Sequence, residues 1–222
     1  NYIMHDSVKK LNNIIRSITS ELEEEKMNVM PRIIAVSKTF DLEKIIPLIE
    51  FGHLDYGENK VQEAVDKWTE PKEKKPQIRL HLIGKLQTNK VKSALKIFDY
   101  IHSVDNKKLA KKIADEELKQ GKKIKILLQI NIGNEDQKSG VDKNELTYLY
   151  NYCNELNLNV VGLMCIPPVN EEAYKYFKEM SLLKKKLSLE ELSMGMSSDY
   201  LEAVENQSTY LRIGSSIFGN RT

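Results

Sequence analysis

Only two cysteines occur among the 222 residues, Cys153 and Cys165, and no cysteine–histidine cluster surrounds either. That excludes a disulfide framework and a zinc site, and points to a reducing compartment. No apolar run approaches the roughly 20 residues of a membrane-spanning helix. The opening stretch NYIMHDSVKKLNNIIRS lacks the apolar centre of a secretory signal. An excess of charge of one sign is missing too. Against 34 lysines and arginines stand 32 acidic residues, a formal +2, too small for a global field towards nucleic acid or an anionic membrane. Six prolines and ten glycines are scattered along the chain, and no stretch reads as a linker. The expectation is a cytoplasmic protein forming one domain over residues 1–222.

What is present is a regular alternation. Eight short apolar runs read as strands: RIIAVSK (32–38), HLDYG (53–57), RLHLIG (79–84), YIHSVD (100–105), KILLQINI (125–132), NVVGLMCI (159–166), ELSMGM (191–196) and YLRIGSS (210–216). Most are apolar on both faces, as parallel strands covered inside and outside require. Helical patterns lie between them. DLEKIIPLIEF ends on Gly52, expected at positive φ, and its Pro47 predicts a kink or a late start. NKKLAKKIADEELKQ spaces Leu109, Ala110, Ile113, Ala114 and Leu118 by threes and fours. DKNELTYLYNYCNEL opens on Asp142 and Glu145, a variant of the capping box. Seven helices separate the strands and one more precedes them near residues 6 to 26. Eight strand–helix repeats predict a single α/β domain, a (β/α)₈ TIM-type barrel with an extra N-terminal helix, over a doubly wound open sheet.

In such barrels chemistry gathers at the carboxyl ends of the strands. The first strand runs into Lys38, and alternation places Ile34, Val36 and Lys38 on one face. Inward-facing, that ammonium is partly desolvated, and its neutral amine becomes a nucleophile towards carbonyls. After the seventh strand, SMGMSSDYLEAV offers serine hydroxyls, backbone N–H groups and a helix start, the elements of an anion site. After the eighth, RIGSSIFG adds Gly214 and Ser215. A lysine beside a phosphate cradle points to a phosphorylated aldehyde or ketone.

The segments AVSKTF, DYGENKVQE, HLIGKLQTNK, IHSVD, QINIGNEDQKSG, GLMCI, LSMGMSSD and RIGSSIFG together resemble the YggS/PROSC family of pyridoxal phosphate homeostasis proteins, in the family's order and over nearly the whole chain. The resemblance implies a barrel similar to the N-terminal domain of alanine racemase, acting as a monomer. It implies pyridoxal 5′-phosphate (PLP) held as a Schiff base on Lys38. Ser197, Gly214 and Ser215 would hold the phosphate, Arg212 would face the pyridine nitrogen, and Asn59 would lie near the ring. Two departures are visible: Lys60 follows GEN where an aromatic residue is usual, and Ser215 replaces the commoner Thr while keeping the hydroxyl.

An arginine opposite the ring nitrogen favours unprotonated pyridine and weakens carbanion stabilisation. The eighth strand lies about six residues from the end of the sequence, and the expectation is of a chain without the further domain on which racemases of this fold depend. The reading is a PLP carrier without robust turnover, with PLP-dependent apo-enzymes as recipients. The enzyme alternative is a small PLP-dependent amino-acid racemase or decarboxylase; a Schiff-base aldolase is a third. No catalytic residue and no metal ligand is assigned. Lys138, in EDQKSG, reads as a solvated loop lysine, its alternative role being a second PLP-accepting amine. His81 and His102 read as near-core hydrogen-bonding groups, Trp68 as helix packing, Cys165 as a small buried hydrophobe.

Overall fold

The computed structural model describes residues 3–136 and 138–221. Its eight strands are β1 (Arg32–Val36), β2 (Asp55–Glu58), β3 (Arg79–Leu82), β4 (Tyr100–Val104), β5 (Lys125–Ile130), β6 (Asn159–Cys165), β7 (Glu191–Ser193) and β8 (Tyr210–Ile213). They form a closed barrel in chain order. Closure comes from parallel pairing of β1 with β8, Arg32 opposite Tyr210 and Ile34 opposite Arg212. The (β/α)₈ expectation holds, and the doubly wound sheet is excluded.

Seven helices connect the strands: α2 (Leu42–Phe51), α3 (Val61–Lys74), α4 (Val91–Ile97), α5 (Lys107–Gln120), α6 (Leu146–Glu155), α7 (Ala173–Lys186) and α8 (Tyr200–Glu205). The helix after β8, α9 (Ser215–Phe218), has a single turn. It is too short to cover the seam between β8 and β1. The N-terminal helix α1 (Asp6–Glu24) takes that place in the ring, packed against α2, α8 and α9. Its sequence suits that position, because Val8, Leu11, Ile14, Ile18 and Leu22 form one buried stripe at helical spacing.

Local expectations fared unevenly. Gly52 ends α2 at φ 105°, but α2 starts at Leu42 and runs through Pro47, so the late start is corrected. Leu118 is 83% exposed. Glu117 takes the buried place beside it, its carboxylate accepting the Ile124 N–H at 2.7 Å just before β5. Asp142 caps a 3₁₀ turn, Lys143–Glu145, rather than α6 itself. Trp68 is fully buried on α3.

Two apolar compartments result. Outward-facing strand residues such as Ile33 and Ala35 pack with the helices. Inside the barrel, Ile34, Tyr100, Leu127, Met164 and Tyr210 form a separate plug. Below it, at the amino ends of the strands, Arg79 forks onto Asp55 at 2.9 and 2.7 Å, while Arg32 and Lys125 lie near the Tyr210 and Tyr100 rings. The lower end is closed. The cavity lined by Lys38 and Arg212 opens at the carboxyl ends.

Candidate functional site

A cavity of about 670 Å³ opens at the carboxyl ends of the strands, lined by Lys38, Asn59, Ser197, Arg212, Gly214 and Ser215. All six residues assigned from the sequence therefore meet in one place. Val36, Phe40, Ile83, Ile166 and Met196 supply its apolar wall, and Ser198, Asn220 and Arg221 add polar groups.

Lys38 is half-buried, two residues beyond β1. Burial, then the nearby positive charges of Arg221 and Arg212, lower its pKa; Glu58 and Glu63 oppose them. The backbone around it is clamped. Ser37 donates its N–H to the Gly57 carbonyl at 3.0 Å and its hydroxyl to Glu58 at 2.6 Å. Lys67, on α3, donates to the Ser37 carbonyl at 2.8 Å and to Glu58 at 2.9 Å. On the far side, Thr39 sits at φ 67°, costly for a β-branched residue, with its N–H bound by Glu63 at 2.8 Å. Glu58 is fully buried, and burial outweighs its bonds to Ser37 and Lys67, pushing its carboxyl up to about 7.

Arg212 comes from β8 and is 3% exposed. It donates to Ser193 Oγ at 2.6 Å and to the Cys165 carbonyl at 2.9 Å, both neutral acceptors. Among the described residues no ion pair includes Arg212. Cys165 itself is fully buried in β6, its thiol pushed up to about 12 by burial.

The Ser216 N–H donates to Ser197 Oγ at 3.3 Å, tying the loop after β8 to the loop after β7. Gly195 makes that second turn at φ 102°; a Cβ there would lie 2.6 Å from Ala203 Cβ. Gly214 has φ −118°, so its contribution is space: a Cβ would press on Val36 Cβ at 3.3 Å. One part of the expected anion site is corrected. The start of α8 is occupied by Asp199, whose carboxylate accepts the Met196 N–H at 2.7 Å, and that negative charge opposes an anion there. The polar groups at that side of the cavity are instead those of Ser197, Ser198, Gly214 and Ser215, together with Arg221.

Arg221 gives no sign of itself in the sequence, since it follows the last strand–helix repeat and carries no periodic signal. Asn59 is positioned by a close approach: a Cβ on Gly84 would fall 2.7 Å from the Asn59 carbonyl oxygen. Lys60 is exposed and lines a different hollow, with Lys85 and Lys90. Lys138 is exposed and lies outside the lining of the 670 Å³ cavity among the described residues. A larger hollow of about 770 Å³ adjoins, sharing Ile166, Met196 and Ser198, but its rim of Glu171, Glu172, Asp199 and Glu202 would repel a phosphate.

Residues 10–222 match the alanine racemase N-terminal domain family. The chain is 37% identical to the pyridoxal phosphate homeostasis protein of Vibrio alginolyticus, over 93% of this chain and 96% of the relative. The chain belongs to the pyridoxal phosphate homeostasis protein family. The human member is 34% identical over 97% of this chain and 86% of its own length. Among solved structures, PipY of Synechococcus elongatus with PLP bound superposes with a TM-score of 0.77 at 33% identity, covering 91% of this chain and all of PipY. Alanine racemase of Clostridium difficile shares the barrel alone: TM-score 0.67, 15% identity, covering 93% of this chain and 56% of the racemase.

The residues present fit PLP. A buried guanidinium lines the cavity; guanidinium N–H groups donate, and a pyridine nitrogen is an acceptor. Hydroxyls and Arg221 suit an ester dianion, and an amine of lowered pKa suits an aldehyde. A volume of 670 Å³ is in the usual range for a small-molecule pocket.

Proposed function

We propose that this family member holds PLP on Lys38 and serves intracellular PLP homeostasis as a carrier without robust turnover. When bound, the cofactor supplies an aldehyde that condenses reversibly with an amine as a Schiff base, and a ring that withdraws electrons. Lys38 provides the amine, and the Ser37–Glu58–Lys67 clamp fixes the direction from which it approaches. Ser197, Gly214 and Ser215, with Arg221, hold the phosphate; Asn59 flanks the ring. Arg212 donates to the pyridine nitrogen and keeps that nitrogen free of a proton, which weakens electron withdrawal.

The observation that carries the carrier reading is the composition of the cavity wall. Among the described lining residues, Lys38 is the group whose proton is readily exchanged, and the other ionisable side chains are Arg212 and Arg221. Racemisation needs a second acid or base on the opposite face of the substrate. The recipients in this reading are PLP-dependent apo-enzymes, and the protein works as a cytoplasmic monomer. Among the described residues no helix is long and apolar enough to cross a membrane.

The alternative, a small racemase or decarboxylase, keeps support from the racemase-like barrel. Incubation of the PLP-loaded protein with a panel of amino acids in deuterium oxide separates the two. The carrier reading expects exchange of the α-hydrogen no faster than with free PLP. A steady rate well above that overturns it.

A further inference from the structure

Barrel interiors of this class are usually filled by branched apolar side chains. Here a line of polar groups runs through the plug instead. His81 Nε2 lies 2.8 Å from Asp55 Oδ1, His81 Nδ1 lies 2.9 Å from His102 Nε2, and His102 Nδ1 lies 2.8 Å from Ser193 Oγ. Ser193 Oγ accepts from Arg212 at 2.6 Å. Asp55, His81, His102, Ser193 and Arg212 are all buried, both imidazoles completely. The five residues come from β2, β3, β4, β7 and β8.

The direction of every bond follows from the two ends. Arg212 can only donate. Asp55, gripped by Arg79 on two sides, is ionised and can only accept. His81 must therefore donate from Nε2. Burial keeps that ring neutral, so its Nδ1 accepts, and His102 must donate from Nε2. Burial likewise keeps His102 neutral, its Nδ1 accepting the Ser193 hydroxyl proton. The serine lone pairs are then left for the guanidinium. A second proton on either ring would set two N–H groups against each other or against the Ser193 hydroxyl proton. With both rings neutral, one arrangement satisfies all the groups.

We propose that Ser193, His102, His81 and Asp55 form a one-directional hydrogen-bond line that positions Arg212, fixing which of its N–H groups remain for the ligand's ring nitrogen. These four are positioning residues: they do not line the cavity, and they act through Arg212. The line also connects the buried cation to a carboxylate at the closed end of the barrel, while leaving the cavity itself free of acid. Dipoles aligned head to tail polarise one another, so a break anywhere weakens the hold on the guanidinium. The inference rests on the proposed PLP reading for its ligand, and on unliganded geometry for its own structure.

The test has two arms. In the protein without PLP, ¹⁵N NMR of the imidazoles is expected to find His81 and His102 both neutral and both protonated on Nε2 from pH 6 to 8. An Nδ1–H tautomer or an imidazolium at either position overturns the line, whatever becomes of the PLP reading. In the second arm, Ser193→Ala is expected to weaken PLP binding roughly tenfold, the loss of one charge-assisted hydrogen bond, and to shift the absorption band and pyridine ¹⁵N resonance of bound cofactor. His102→Gln, whose amide can accept and donate in the same sense, keeps both signals, whereas His102→Leu moves them as Ser193→Ala does. Unshifted spectra in Ser193→Ala and His102→Leu, with Arg212→Met shifted, would assign the line a purely structural role and overturn the proposal.

Discussion

Lys67 Nζ lies 2.8 Å from the carbonyl oxygen of Ser37, the residue before the cavity lysine, and reaches it from a helix that begins a strand later. The same ammonium binds Glu58 and Glu63, and Glu63 in turn fixes the Thr39 N–H. Lys38 thus sits between two immobilised peptides. Lys67→Met leaves Glu58 buried without its cation and should cost about 3 kcal/mol at pH 8, less at pH 5, where Glu58 takes up a proton instead. Thr39→Gly relieves the positive φ and should raise the melting temperature while weakening PLP uptake, because Lys38 gains freedom. Thermal melts beside PLP titrations check both; a Thr39→Gly protein that is less stable contradicts the strain argument.

Glu58 gives the fold a pH signature. Its carboxyl is raised to about 7 in the folded chain from an ordinary 4.5, so the folded state binds the extra proton between those values. Stability is therefore lost as pH rises from about 4.5 to about 7, by on the order of 3 kcal/mol. His81 and His102, held neutral by burial, act in the opposite sense: their contribution is present above about 6.5 and lost as pH falls below it. Asp55, held below the usual carboxylate range against burial by Arg79 and His81, contributes stability that is lost only in stronger acid. Comparing wild type with Glu58→Gln isolates the first effect. Urea unfolding from pH 5 to 8 should find the variant gaining on wild type as pH rises. A constant difference would refute it.

The proposed phosphate cradle predicts a split between two ligands. Ser197→Ala combined with Ser215→Ala should weaken PLP binding at least tenfold and leave pyridoxal, which lacks the ester, bound as before. Arg221→Ala should weaken PLP in the same selective way. It should also raise the pKa of Lys38, since Arg221 is the larger of the two charges that lower it. Parallel titrations with the two vitamers read the first effect, and the pH dependence of uptake reads the second.

Lys138 stands on an exposed loop outside the cavity. Lys138→Ala should therefore leave both the uptake and the release of PLP unchanged, followed by absorption in rapid mixing. A slowed release would make it a transfer point after all.

The barrel is legible in the sequence because its signal is local and repeated: eight apolar runs with helical patterns between them locate β1 to β8 within a few residues. Lys38 is legible from its place at the end of a strand, and Asn59, Ser197, Arg212, Gly214 and Ser215 through the quoted segments, whereas Arg221 lies outside them. What the sequence hides is non-local. The line from Asp55 through His81, His102 and Ser193 to Arg212 draws on five strands and has no spacing in the chain; only barrel closure brings its members together. His81 and His102 read as near-core hydrogen-bonding groups, without their partners. Leu118 keeps the helical spacing yet faces water, because Glu117 is needed at the start of β5. Asp199 looks like part of a serine-rich anion turn, whereas in the fold its carboxylate holds that turn closed.

The central claim is that the Lys38 amine captures the aldehyde of PLP. Borohydride reduction of the PLP-loaded protein, followed by peptide mass mapping, tests it most directly. The predicted result is loss of the yellow colour and a pyridoxyl phosphate adduct on the peptide containing Lys38, absent in Lys38→Ala. An adduct on another lysine, or none on a protein that remains yellow, would contradict it.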